Sequence, residues 1–183
     1  DGGARYNTSY IQGVGLGSIT DSLAAIKYHV YDKRSTSLPK LIDTLKNNFE
    51  GAGELRDKLL NATPKYGNDD DYADDIMKQV FELYFNCVDG RPNTKGGQHR
   101  INLLPTTCHV YFGSVIGAMP DGRVCGEPLS EGISPVQGAD RKGPTAVLKS
   151  ASKIDHIRTG GTLLNQKFTP HVLESEDGLD KVA

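Results

Sequence analysis

The chain has 183 residues, enough to bury one sizeable core, and carries 21 basic and 23 acidic side chains for a formal net charge of −2 at pH 7. Both signs are scattered along the sequence, which excludes a basic face for nucleic acid and a polycationic segment for a membrane surface, and no apolar run approaches the ~20 residues that a bilayer-crossing helix needs. Cys87, Cys108 and Cys125 are an odd number without paired spacing, so neither a disulfide framework nor a metal cluster is indicated and a reducing cytoplasm is the expected location.

The chain opens inside a polar, glycine-rich run at Asp1-Gly2-Gly3 and stops at residues 179–183, where an apolar pattern is starting rather than closing. It is therefore expected to be a piece of a longer polypeptide. Residues 11–17 alternate glycine with apolar side chains, and Ser18 followed by Asp21 at the third position predicts the capped start of a helix over 19–31. Leu23, Ala24, Ile26 and Val30 give that helix an apolar stripe. Gly13-Val14-Gly15-Leu16-Gly17-Ser18, just ahead of it, supports two readings, tight backbone packing or anion binding by main-chain N–H groups. The spacing is neither that of a dinucleotide fingerprint nor that of a P-loop.

Pro39 sits in the first turn of a second predicted helix running to residue 49, ended by Gly51 and Gly53, and a third covers 54–61 before the break at 64–68. Asp69, Asp70 and Asp71 precede a long helix carrying Tyr72, Ile76, Val80, Leu83 and Tyr84. Negative charge there meets the positive end of the helix dipole, and the ligand alternation and glycine of a calcium loop are missing. Asp89-Gly90 and Pro92 close the helix. A strand follows over 98–104, stopped by Pro105, then a turn at Met119-Pro120-Asp121-Gly122, a helix over 145–153 opened by Pro144, and a buried strand over 162–168. Strands separated by helices imply an α/β layer arrangement.

Cys108-His109 cannot act as a thiolate and its base, because neighbouring side chains diverge by about 100° on a helix and lie on opposite faces of a strand. His156, beside Asp155 and Arg158, reads as part of a helix-end charge cluster, and His29, His99 and His171 stand without ligand spacing. Arg100, Asn102, Leu104 and Thr106 recur at every second position, so an extended chain aims all four to one side and Ile101 and Leu103 to the other. That mixture of cation, amide, apolar group and hydroxyl suits a substrate pocket wall. It equally suits an Arg100 that pairs with a carboxylate elsewhere in the protein.

Gly2-Gly3-Ala4-Arg5-Tyr6-Asn7, Pro64-Lys65-Tyr66-Gly67-Asn68-Asp69, Leu104-Pro105-Thr106-Thr107-Cys108-His109, Pro120-Asp121-Gly122-Arg123, Pro128-Leu129-Ser130-Glu131-Gly132-Ile133-Ser134-Pro135 and Gly161-Thr162-Leu163-Leu164-Asn165-Gln166 follow one another in a characteristic order. In these segments the chain resembles the glycyl radical enzymes, in the pyruvate formate-lyase-like branch of dehydratases and lyases. Residues 100–109 look most like the hydroxyproline dehydratase type. The resemblance implies a part of a ten-stranded α/β barrel, with residues 1–183 belonging to the C-terminal half of the catalytic domain, before the glycyl radical domain. It implies a protein-derived glycyl radical installed by an S-adenosylmethionine and iron–sulfur activating enzyme, a thiyl radical that abstracts hydrogen from a small-molecule substrate, and a homodimer.

The sequence contains neither a Gly-Cys-Val-Glu type cysteine loop nor an Arg-Val-x-Gly-Tyr type radical loop, so no catalytic residue, bound cofactor or metal is assigned to these residues and the chain alone is expected to be inactive. By resemblance the carry-over is to the substrate wall: Thr106 and Leu104 face the pocket and Arg100 holds an anionic group of the substrate through paired N–H donors. The expected activity is elimination or cleavage of a small anionic substrate. Formate C-acetyltransferase-like C–C chemistry and a non-catalytic anion-binding module built on residues 13–18 are the alternatives.

Overall fold

The structure is a computed structural model that describes residues 8–104, 106–168, 170, 174, 177, 178 and 180. Residues 1–7, Pro105 as the strand stop, His171, and residues 179 and 181–183 of the last apolar pattern lie outside the described residues. The element order is β1 (Ser9–Gln12), α1 (Leu16–Ile26) continuing into a π-helical turn (Lys27–Asp32), α2 (Leu38–Lys46), α3 (Gly53–Asn61), α4 (Asp71–Val88), β2 (His99–Asn102), α5 (Cys108–Val115), α6 (Pro144–Ser152) and a 3-10 turn (His156–Arg158).

β1 and β2 pair in parallel, with Tyr10 opposite Arg100 and Gln12 opposite Asn102. The four helices between them form the crossover that parallel pairing requires, and α1 lies against α4. This is an α/β arrangement, but the described residues hold a two-stranded sheet rather than a closed barrel. The expected strand over 162–168 reduces to a parallel bridge between Leu103 and Thr162. Leu163 donates its amide to the Leu103 carbonyl at 3.0 Å, and its own carbonyl accepts from the Ile133 amide at 3.2 Å. The segment thus leaves the ladder for a loop after one bridge.

The apolar face of β2 supplies Ile101 and Leu103 to the main core, where they meet Leu16, Met77, Phe81 and Ile133. A second, smaller cluster joins Ala25, Leu41, Phe49 and Leu59. α1 starts at Leu16, three residues earlier than expected, and Gly15 precedes it at φ +78, so Ser18 and Asp21 are inside the helix rather than forming its cap. Leu23 is exposed, whereas Ala24 and Ala25 are fully buried, so the buried face is narrower than the expected stripe. α2 ends at Lys46 because Asn48 and Phe49 turn into the left-handed region. Asp70 caps α4 by accepting the Tyr72 amide at 3.0 Å.

Candidate functional site

β2 reaches its end pinned from several directions. Asn102 accepts the Gly13 amide at 2.8 Å, Ile101 accepts the Gly160 amide at 2.8 Å, and the Leu103 amide donates to Gly161 at 2.9 Å. Leu104 leaves the ladder and is exposed. Thr106 has φ +53, left-handed for a β-branched residue, so the alternation expected to carry it to the face of Arg100 stops before it. Its carbonyl contacts His109 Nδ1 at 3.1 Å, and α5 begins two residues on at Cys108.

Arg100 donates from Nε to Asp89 Oδ1 at 2.7 Å, and nearly half of its side chain remains exposed. Of the two readings of Arg100, carboxylate pairing describes the geometry present among these residues. Arg100, Leu104 and Thr106 lie along one strand and its turn, but none of them lines the cleft formed beside α3 and α5. That cleft, of about 540 Å³, opens between Arg56 and Leu60 of α3, His109 and Val110 of α5, Asp121 and Arg123, and residues 127–131 and 135–137.

Beneath the cleft lies a buried polar cluster that sequence reasoning missed. Lys65 donates from Nζ to the Asp121 carbonyl at 2.9 Å, and Asp21 accepts the Tyr66 amide at 2.8 Å. Burial raises the Asp21 carboxyl to about 7, against the opposing pull of the Lys65 charge, and burial lowers Lys65. Asn68 is satisfied on both sides of its amide: Nδ2 donates to Lys65 and Ala139 carbonyls at 3.1 and 2.8 Å, and Oδ1 accepts from Arg141 and Lys142 amides at 2.7 and 3.1 Å. Gly67 between them has φ +90, and a Cβ there would lie 2.3 Å from Pro135 Cγ. The sequence signals for this cluster were the separate motifs 64–69 and 120–123, and nothing local joined them because the partners are scattered over more than a hundred residues.

The loop at 13–18 is occupied by the protein itself. Gly15 donates to the Ser130 carbonyl at 3.0 Å, Ser18 donates its amide to Ser130 Oγ at 2.9 Å, and Ser130 returns its own amide to Ser18 Oγ at 2.9 Å. A Cβ on Gly17 would approach the Ser134 carbonyl to 2.8 Å. The glycines serve close packing. Asp69 and Asp71 form ion pairs with Lys153 at 3.2 and 2.8 Å, so the acidic run holds α6 as well as meeting the α4 dipole. His156 Nε2 contacts the Ala151 carbonyl at 2.8 Å at the end of α6, and Arg158 pairs with Glu82. His29 is buried between Ser35 Oγ at 2.9 Å and Thr63 Oγ1 at 3.0 Å. Cys87 and Cys125 are exposed and Cys108 is half-buried, and the described residues contain no group of three or more metal-capable side chains. No helix among them is long and apolar enough to cross a membrane.

Residues 1–113 match the family described as Pyruvate formate lyase-like, and residues 129–183 match the one described as Glycine radical. Over 182 residues the chain is 59% identical to the trans-4-hydroxy-L-proline dehydratase of Clostridioides difficile, covering 100% of this chain and 23% of that protein. It is 38% identical over 179 residues to the isethionate sulfite-lyase of Bilophila wadsworthia, covering 96% of this chain and 21% of that one. The crystal structure of the Clostridioides difficile hydroxyproline dehydratase with substrate bound superposes with a TM-score of 0.92 over 99% of this chain and 23% of that one. The B12-independent glycerol dehydratase of Clostridium butyricum, glycerol bound, gives 0.89 at 44% identity, over 100% of this chain and 23% of that one. The chain thus spans about a quarter of the length of these relatives, and it belongs to the pyruvate formate lyase-like family of glycyl radical enzymes, whose cofactor is a radical on a glycine of the protein itself.

Proposed function

We propose that these residues build part of the substrate enclosure of a glycyl radical dehydratase or lyase, and that the whole protein removes water from a small hydroxylated carboxylic acid, with trans-4-hydroxy-L-proline as the favoured substrate. The observation that carries this reading is the 59% identity and TM-score of 0.92, spread over 99% of the chain, with a dehydratase structure that holds that substrate. The sulfite-lyase and glycerol dehydratase relatives stand lower, at 38% and 44% identity. Anion binding by the loop at 13–18 is disfavoured by the engagement of its Gly13, Gly15 and Ser18 amides within the protein. C–C chemistry of the formate C-acetyltransferase kind finds no support in the relatives just described.

The residues present do not fit the radical-bearing site itself, since neither radical motif occurs in the sequence and two of the three cysteines lie exposed. Their part is to bind and orient. In this reading Leu104 and Thr106 face the substrate, and Arg100 offers its guanidinium to a carboxylate. Among the described residues the bond to Asp89 engages only Nε, which leaves the terminal nitrogens of the fork for an anion. The whole protein would complete a ten-stranded barrel and pair as a homodimer in the cytoplasm. A radical S-adenosylmethionine enzyme would activate it. The chain would contribute the end of the catalytic domain and, over the residues 129–183 that match the Glycine radical family, the region leading to the radical-bearing glycine, rather than lying wholly before the glycyl radical domain as expected.

The test uses the whole protein, activated anaerobically until its glycyl radical is seen by electron paramagnetic resonance, and offered trans-4-hydroxy-L-proline, isethionate and glycerol separately. Loss of water from hydroxyproline is expected in preference to turnover of the other two. Arg100→Ala is expected to raise the KM for hydroxyproline roughly 10- to 100-fold at unchanged radical content, the range of one charged hydrogen bond. Preferential turnover of isethionate or glycerol would overturn the substrate, and parental kinetics in Arg100→Ala would overturn the role of Arg100.

A further inference from the structure

The geometry points to Arg123 as a positioning residue that fixes Thr106 through α5. The inference rests on reading Thr106 as part of the substrate wall. Arg123 is 5% exposed, and the side-chain hydrogen bonds it makes among the described residues run from the guanidinium to main-chain carbonyls. Nε donates to Glu127 at 2.8 Å and Nη1 to Gly117 at 2.7 Å; both terminal nitrogens reach Ile116, at 3.4 and 3.3 Å, and Nη2 also reaches Gly113 and Glu127.

Three of those carbonyls, on Gly113, Ile116 and Gly117, belong to the C-terminal end of α5 and the residues just after it. Carbonyls at a helix end are poorly served within the helix, the Gly113 oxygen having only the Ile116 amide at 3.4 Å, and a buried cation there also meets the negative end of the dipole. The fourth, Glu127, lies on the segment running beside the helix, and a Cβ on Gly113 would meet it at 2.3 Å. At the other end of α5, Leu129 donates its amide to the His109 carbonyl at 3.1 Å. One guanidinium and one amide therefore bolt both ends of an eight-residue helix to residues 127–129. The turn bearing Arg123 is itself fixed, by Arg56 Nε to the Gly122 carbonyl at 2.9 Å and by the Arg123 amide to Asp121 Oδ1 at 3.1 Å.

Thr106 stands between β2 and α5 with a left-handed φ of +53. A β-branched residue keeps such a conformation only where its surroundings over-determine it. The Thr106 carbonyl meets His109 Nδ1 in the first turn of α5 at 3.1 Å, and Arg123 holds the other end of that helix. Loosening α5 lets Thr106 relax, and a displacement of about 1 Å in a positioning group is enough to change substrate binding strongly.

The experiment uses the whole, activated enzyme with trans-4-hydroxy-L-proline as probe and compares Arg123→Lys and Gly113→Ala. The first substitution keeps the charge but not the fork, and the second pushes α5 off Glu127 while leaving Arg123 intact. Each variant is expected to raise KM about tenfold or more at unchanged glycyl radical content per folded protein, and the rise is expected to vanish in a Thr106→Val background. A purely structural role would lower folded protein and kcat without moving KM. The inference is overturned by an unmoved KM, by a rise that adds in full to that of Thr106→Val, or by loss of soluble protein in both variants, which marks a folding role alone. If Thr106→Val leaves KM unchanged in the parent, the wall reading itself has failed; if it raises KM and the Arg123 effect is independent, only this inference has.

Discussion

Asp21 is fully buried with one carboxylate oxygen on the Tyr66 amide and, among the described residues, no hydrogen-bond partner for the other. Burial raises its carboxyl to about 7, with Lys65 opposing and the neighbouring Asp121 and Asp74 charges adding. The unfolded chain ionises Asp21 at its ordinary value, while the folded chain keeps the proton until near pH 7. Between pH 4 and 7 the unfolded state therefore releases more protons, and this group's contribution makes stability fall as pH rises, levelling off above about 7. Asp74 and Asp121, also raised by burial, act with the same sign. Asp21→Asn keeps the acceptor for Tyr66 and removes the titration. Thermal midpoints of the whole protein across that window are expected to lose part of their downward slope in this variant, with the gain largest near neutrality. An identical slope in parent and variant would show that Asp21 does not hold its proton in the fold.

At the scale of elements, α4 and α6 are joined by a charge clamp. Lys153 reaches Asp74 Oδ2 at 2.7 Å, Asp71 at 2.8 Å and Asp69 at 3.2 Å, while Ser150 Oγ donates to Asp74 at 2.9 Å. Asp69 and Asp71 are solvent-exposed and contribute little, but the Asp74 side chain is wholly buried. Lys153→Met is expected to cost about 3 kcal/mol, because it strands a buried carboxylate. Adding Asp74→Asn should recover most of the loss, since replacing both partners leaves no uncompensated charge. Urea unfolding of the two variants measures the difference, and equal midpoints would show that the clamp is not coupled. Element starts were readable where the signal was local, as with Pro39 in the first turn of α2 and the aspartate run ahead of α4. The start of α1 was not, because the acceptor for its first-turn Ser18 amide is Ser130 Oγ, 112 residues away, and no local pattern records a partner at that distance.

Over the whole molecule, the described residues form two cores yet leave large apolar side chains at the surface. Tyr111 and Val115 of α5 are 67% and 68% exposed, and Val110, Phe112, Tyr10 and Ile11 are also open. Helices apolar on all sides are interior helices of larger bodies, which agrees with a chain that spans about a quarter of its relatives' length. Residues 1–183 expressed alone are expected to associate and to bind a hydrophobic dye, whereas the whole enzyme does not; light scattering and dye fluorescence compare them. A monodisperse, dye-silent chain would mean that α5 is covered by residues within this piece.

What the sequence determined by itself was the set of elements written in local chemistry: the long helix behind three aspartates, the proline-opened helices, the turn at 119–122, the strand through Ile101 and, through its ordered motifs, the family. The tertiary structure decided what those motifs are for. It turned the glycines at 13–17 into close-packing positions, gave Arg100 to Asp89, and set Thr106 out of the alternation with a left-handed turn. It also made Arg123 the joint between a turn and a helix. The physical reason is range. Capping, periodicity and turn propensity act over a few residues and are visible in order, whereas a buried guanidinium or carboxylate is defined by partners that only the folded chain brings within hydrogen-bonding distance.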